Sequence, residues 1–252
     1  MVAQASAAAP TPQGFRRMTR TPRYSVITPS TGRRPKALSF AIASVERAFC
    51  HAGLDMGAVE MLVGFDGVRG ERVSAASFIR WFDIPADGDF GNGIRNALLK
   101  AARGERLLFL DDDNALTPEA FSLYDAHAGI EMVVGRIDTS ASFDIPFLPR
   151  PDVHPITPGN VDPLCLCVTR ELAVTRCGGW QGSPVMPQAH ERHFRYESDF
   201  LNIHKYWRRA MSTLLIDAFV GIYDAGCGLD PQGMNTRQTR RALRDRDSTE
   251  KS

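Results

Sequence analysis

The sequence predicts an α/β domain whose central, mostly parallel sheet is flanked by helices. Short, wholly apolar runs alternate with segments whose apolar residues recur at helical spacing, the pattern of strands joined by crossover helices. Several of the apolar runs stop abruptly at an acid, a glycine or a proline. The 252 residues, 43% hydrophobic and 23% charged, suffice for one sizeable domain of ordinary soluble composition.

Tyr24-Ser25-Val26-Ile27-Thr28-Pro29 reads as the first strand. Leu38, Ile42, Val45 and Phe49 recur at helical spacing and mark the helix that follows. Met61-Leu62-Val63-Gly64-Phe65 is a second strand, stopped by the turn pair Asp66-Gly67. Ile94, Leu98, Ala101 and Ala102 predict another helix, ended by Gly104. Leu107 to Leu110 is the next strand, and Met132-Val133-Val134-Gly135 one more. Phe143 to Pro158, rich in proline, reads as an irregular loop. No internal repeat is present.

The domain is expected over residues 24–230. Residues 1–23, rich in Ala, Pro, Thr and Arg, lack the apolar core of a secretory signal and read as a disordered extension, with a transit peptide as the alternative. Residues 231–252 carry Arg237, Arg240, Arg241, Arg244 and Arg246 interspersed with acids and read as a charged tail or frayed helix. No stretch reaches the roughly 18–20 apolar residues of a membrane span; the longest candidate, Leu214 to Tyr223, is broken by Asp217 and Gly221. Peripheral contact with anionic lipid through the basic tail stays open. A net charge of +1 argues against nucleic acid as a partner. The five scattered cysteines, Cys50, Cys165, Cys167, Cys177 and Cys227, show no zinc spacing and predict reduced thiols in a cytoplasmic protein.

The segment richest in chemistry runs from Leu107 to Pro118. Its apolar strand ends in three consecutive carboxylates, Asp111, Asp112 and Asp113, before Thr117-Pro118-Glu119 opens a helix. Acids this close repel one another unless a cation sits among them. Oxygen ligands at a strand's carboxyl end suit Mg²⁺ or Mn²⁺, which leave positions open for water and substrate phosphates. The bland alternative is a helix cap with two solvated acids. Open parallel sheets bind ligands at the carboxyl ends of their strands, where Pro29, Ser30, Asp66 and Asp111 to Asp113 converge from three strands. With no GxGxxG after the first strand and no GxxxxGK[ST], a dinucleotide-binding domain and a P-loop ATPase are both disfavoured.

These residues resemble a known family. Tyr24-Ser-Val-Ile-Thr-Pro-Ser-Thr-Gly-Arg33 is similar to the opening "SVIIPTYNR" of family 2 of the GT-A glycosyltransferases, and Met61-Leu-Val-Gly-Phe-Asp-Gly-Val68 to its "IIVVDDGS" strand. Gly91-Asn-Gly-Ile-Arg-Asn-Ala-Leu98 resembles the "G.a.ARN.al" helix start. Ala102-Arg-Gly-Glu-Arg-Leu-Leu-Phe-Leu-Asp-Asp-Asp-Asn114 resembles "A.GEyi.fLDdDD". The four blocks keep the family's order and spacing over about Tyr24 to Phe121.

The resemblance implies a GT-A (nucleotide-diphospho-sugar transferase) fold and transfer of a sugar from a nucleotide-sugar donor to an acceptor hydroxyl, inverting and dependent on Mn²⁺ or Mg²⁺. The acceptor would be a glycan, a lipid-linked sugar or a small molecule. Asp66 then contacts the nucleotide base, Phe65 replacing the acid that usually precedes it. Asp113 is the implied metal ligand, and Asp111 or Asp112 holds the ribose or a metal-bound water. Arg95 lies where the family often places a basic residue near the donor, and Pro29 and Ser30 sit in the first strand's loop.

The second half matches less closely. Cys177-Gly178-Gly179-Trp180-Gln181 resembles the family's "GGF" turn, and Tyr196-Glu197-Ser198-Asp199-Phe200-Leu201 its acidic "ED" segment. An inverting transfer needs one carboxylate to deprotonate the acceptor; Glu197 and Asp199 are the candidates, and spacing does not choose between them. Trp180 is either a platform for a sugar face or a core residue. His190, His193 and His204 lie nearby, and none matches a local motif for completing the metal site. Two other functions stay open. One is a sugar-phosphate nucleotidyltransferase, faintly echoed by Ser30 to Lys36. The other is a non-catalytic module of the same fold that binds nucleotide sugar or glycan.

Overall fold

The computed structural model describes residues 21–86, 89, 91–181 and 191–249, with backbone alone at 191–197 and 244–249. Strand β1 (Tyr24–Ser30) is followed by α1 (Pro35–His51), β2 (Val59–Asp66), β3 (Ile79–Ile84), α2 (Asn92–Ala101) and β4 (Arg106–Phe109). These strands lie in the order β3-β2-β1-β4, all parallel. β2 is buried from Val59 to Phe65, as its unbroken apolar run requires of a strand covered on both faces. α1 turns Leu38, Ala41, Ile42, Val45 and Phe49 onto the sheet and starts with Pro35, which has no N–H to leave unsatisfied. The one carboxylate inside β2, Glu60, is matched by Arg80, Arg103 and the Ser25 hydroxyl.

The chain continues through β5 (Ala115–Leu116), α3 (Ala120–Asp125), β6 (Met132–Asp138), β7 (Phe147–Leu148), β8 (Leu166–Thr169), α4 (Glu191–Arg209), β9 (Thr213–Ile222) and α5 (Thr236–Thr249). The described strands form one sheet of nine in the order β3-β2-β1-β4-β8-β6-β9-β5, with β7 added on β6. The expected parallel pairing is found throughout β3-β2-β1-β4 and again between β6 and β9, and antiparallel strands are interleaved in the second half. β8 runs antiparallel to both β4 and β6, and β5 and β7 are antiparallel to their neighbours. The apolar run from Leu214 to Tyr223 is accounted for by β9, and no helix among the described residues is long and apolar enough to cross a membrane.

The charged segment expected as a tail or frayed helix contains α5. Just before it Asp230 Oδ2 accepts from Ala37 N at 2.8 Å, at the start of α1, and Gln238 of α5 is buried. Its contacts are made by single polar side chains, which a search for an apolar face does not reveal.

Candidate active site

The parallel registers of β2, β1 and β4 bring Asp66, Ser30 and Asp111 to one edge of the sheet, as expected for three strands that end at the same level. The three consecutive aspartates there do not share one environment. Asp111 is 38% exposed at its side chain and faces outward, whereas Asp112 is fully buried. Asp112 Oδ2 accepts from the Ser30 hydroxyl at 2.6 Å, and its Oδ1 lies 2.5 Å from Arg34 Nη2. Ser30 Oγ also accepts from Gly32 N at 3.1 Å. Ser30 and Asp112, both expected to contact the donor, point inward here, where they shape the loop and anchor Arg34. Pro29 does stand at the end of β1, beneath Gly91 at the start of α2.

Three guanidinium groups supply much of the positive charge that the acids demand. Arg34 spans Asp112 and Asp113. Arg95, only 4% exposed on α2, places Nη2 2.6 Å from Asp111 Oδ1 and Nη1 3.5 Å from Asp199 Oδ1. Arg237 makes a two-pronged pair with Asp224 at 2.5 and 2.9 Å. Burial would drive a lone guanidinium toward its neutral form, but Asp111 and Asp199 hold Arg95 firmly charged. Asp113 Oδ2 takes Arg34 and, at 2.7 Å, the amide of Gln238. The second oxygens of Asp111 and Asp113 have no partner among the described residues.

Burial dominates the titration of the acids, with like-charged neighbours adding to it. Asp112 is pushed up to about 7, and Asp113 and Asp199 also rise. Asp162, ahead of the short turn Pro163–Cys165 that it caps through Leu164 N, is likewise pushed up to about 7, with Asp111 and Asp199 close enough to contribute. Asp224 behaves oppositely: burial raises it, but hydrogen bonds from Arg237, Ser142 and Gln238 outweigh burial and hold it low. Its φ of 54° is rare for a residue other than glycine. The conformation is fixed by Asp224 N donating to Asn114 Oδ1 at 2.8 Å.

Around Asp66 the sheet edge is built differently. Its Oδ1 is buried and has no hydrogen-bond partner among the described residues. Phe65, beside it, is core: its ring stacks on Trp81 at 5.8 Å with Arg72 5.0 Å above it. Gly70 approaches that ring so closely that a Cβ would sit 2.1 Å from it, which excludes any larger residue there.

Trp180 is 1% exposed, lies against Phe109 at 5.0 Å and Tyr206 at 6.0 Å, and donates from Nε1 to Asn92 Oδ1 at 2.8 Å, the setting of the core alternative. The tight turn before it aims the indole inward because a partner for its one N–H lies there. His204 stacks on Phe200 at 5.5 Å. The side chains of Glu197 and His193, and His190 entirely, lie outside the described residues. Arg34, Asp162, Asp224, Arg237 and Gln238 complete the cluster and were not singled out as site residues from sequence. For Asp224 a signal exists: an apolar strand stopped by Asp-Ala-Gly repeats the Asp66-Gly67 pattern at the end of β2.

No protein-family model matches this sequence, and no curated protein matches it. Among solved structures the chain is similar to S. aureus TarS 1-349, with a TM-score of 0.59 at 16% identity over 79% of this chain and 60% of that one. A structure of the same protein in complex with UDP-GlcNAc gives 0.55 at 17% identity, covering 79% of this chain and 58% of that one. A longer S. aureus TarS structure gives 0.61 at 14%, with 79% of this chain matched to 36% of that one. The chain thus spans roughly a third to three fifths of the chains it resembles. These likenesses establish the fold as the GT-A type, a central sheet flanked by helices.

Proposed function

We propose that this chain is a glycosyltransferase of the family 2 type, moving a sugar from a nucleotide-sugar donor to an acceptor hydroxyl. The observation that carries this reading is Asp66, whose buried Oδ1 at the carboxyl edge of the sheet lacks a hydrogen-bond partner among the described residues. A buried, unsatisfied carboxylate oxygen is costly and calls for a donor, which a nucleobase ring N–H supplies. The similar fold of S. aureus TarS, solved in complex with UDP and with UDP-GlcNAc, supports a uridine nucleotide as that ligand.

The donor's diphosphate would then lie along Asp111 and Asp113. Among the described residues no three Asp, Glu, His or Cys gather as a complete metal cage. Mn²⁺ or Mg²⁺ needs no such cage beside a diphosphate, because one or two carboxylates plus phosphate oxygens suffice. Asp113 and Asp111, each with one oxygen left, fit that requirement and would hold the ion. When bound, it would neutralise charge on the departing nucleoside diphosphate.

The chain's own residues do the rest. Arg95 fixes the orientation of Asp111 and Asp199, and Arg34 holds the loop after β1 against the acids. A base is needed to deprotonate the acceptor on the face opposite the leaving group, as inversion requires. Asp199 stands beside Arg95 with its carboxyl raised by burial, and Glu197 lies two residues before it on α4. The acceptor, a glycan, a lipid-linked sugar or a small molecule, would approach from α4.

Titration calorimetry with UDP tests the reading. The wild-type chain is expected to bind UDP, and Asp66→Ala to bind it about 10–100-fold more weakly, the loss typical of one hydrogen bond to a charged group. Equal affinity in the two proteins would remove Asp66 from the site. No binding of UDP by the wild type would reject the uridine-nucleotide reading.

A further inference from the structure

We propose that Gln238 is a positioning residue of this site: its one amide nitrogen holds Asp113 and Asp224 side by side and makes the C-terminal segment a wall of the donor pocket. The inference rests on the glycosyltransferase reading and extends it to a segment 125 residues from Asp113 along the chain.

The geometry is specific. Gln238 is 2% exposed, and Nε2 donates to Asp113 Oδ2 at 2.7 Å and to Asp224 Oδ1 at 2.7 Å. The orientation of the amide follows from its other end. Gln238 Oε1 accepts from Asn235 N at 3.0 Å while Gln238 N donates to Asn235 Oδ1 at 3.0 Å, a reciprocal cap at the start of α5. A carboxylate only accepts, so the nitrogen must face the two aspartates. Both protons of one neutral group are thereby used to bring two carboxylates together without cancelling their charge.

The segment that delivers Gln238 is held along its length. Gly226 N donates to Asp113 O at 2.8 Å, and Asp230 caps Ala37 N. Gly233 lies so close to the loop after β1 that a Cβ there would sit 2.4 Å from Arg33 O. Arg237, adjacent to Gln238, grips Asp224 and lies over the rings of Phe143 at 4.9 Å and Tyr223 at 5.1 Å. Asp113 therefore takes its orientation from two sides, from Arg34 and from Gln238. A partner that orients a metal-binding carboxylate is typically worth about 10–100-fold in metal affinity.

The test uses the full chain with Gln238→Met, which keeps the volume and removes both donors, and Gln238→Glu, which keeps the shape and adds a charge. Mn²⁺ affinity is read without any nucleotide, from the electron paramagnetic resonance signal of the free ion, and UDP affinity by calorimetry in excess Mn²⁺. Melting temperature without ligand reports folding separately. Gln238→Met is expected to stay folded and to bind Mn²⁺ about 10–100-fold more weakly, with weaker UDP binding in Mn²⁺. Should Gln238→Met fail to fold, the same weakening is expected of Gln238→Glu. Unchanged Mn²⁺ affinity in a folded variant overturns the proposal. Tighter binding also overturns it, because Gln238 would then obstruct the site. A wild-type chain that binds UDP but not Mn²⁺ defeats this inference and leaves the donor reading intact, whereas one that binds neither defeats both.

Discussion

An Asp113→Asn variant should lose Mn²⁺-dependent stabilisation by a nucleotide sugar and turn over orders of magnitude more slowly, while its fold survives or gains. Asparagine keeps the shape and can still accept from Arg34 and Gln238 at the oxygen it retains. It removes the charge that a divalent ion would use. The effect on stability has the opposite sign. Burial, helped by Asp111 and Asp224, raises the Asp113 carboxyl above its ordinary range. The fold therefore favours the protonated form, so this residue's contribution to stability is full at low pH and is lost as pH rises through the raised value. The variant has no such loss. Relative to the wild type, its melting temperature without ligand should therefore rise as pH is raised from 5 to 8. Scanning fluorimetry at the two pH values, with and without Mn²⁺ and nucleotide sugar, reads both halves. Metal-dependent activity close to wild type would show that the ion, if used at all, sits elsewhere.

Trp180→Ala should be the most destabilising single truncation near the site. The indole is fully enclosed between Phe109 and Tyr206, and its N–H satisfies Asn92 Oδ1. Asn92 in turn donates to the Ser198 hydroxyl on α4 at 3.0 Å, so the loss reaches the helix that carries Asp199. Emptying such a site typically costs about 3–5 kcal/mol, which for a domain of this size corresponds to a drop of roughly 6–20 °C in melting temperature. Trp180→Phe should recover most of the packing and still leave Asn92 Oδ1 without its donor. A sugar platform would behave differently, losing acceptor affinity at nearly unchanged melting temperature. Thermal unfolding of the two variants separates these roles.

The strand ends were legible because burial and charge meet there abruptly. Met61 to Phe65 and Leu107 to Leu110 cannot be solvated, and the acids that end them cannot be buried alone, so the edge of the sheet is written in the chain. Resemblance added Arg95, which the structure pairs with Asp111 and Asp199. What adjacent residues do on a tight turn was not legible. Asp111 points out and Asp112 points in because β4 ends at Phe109 and the chain turns, a difference no residue type announces. Long-range polar partners were hidden for a related reason. Arg34 and Gln238 reach the acids through individual side-chain contacts, and Asp224 is joined to Asp113 through Gln238, which leaves no periodicity. The direction of β8 was equally invisible, since a buried strand of four residues reads the same in either sense.

Product analysis tests the central claim most directly. The purified chain is incubated with Mn²⁺ and a panel of uridine nucleotide sugars that includes UDP-GlcNAc, and the phosphorus-containing products are identified. A glycosyltransferase slowly releases UDP from its donor even without acceptor, because water can take the sugar, and this release should disappear in Asp113→Asn. Conversion of a donor to UTP and a sugar 1-phosphate when pyrophosphate is added would instead identify a nucleotidyltransferase, and release of neither UDP nor UTP from any member of the panel would contradict the account.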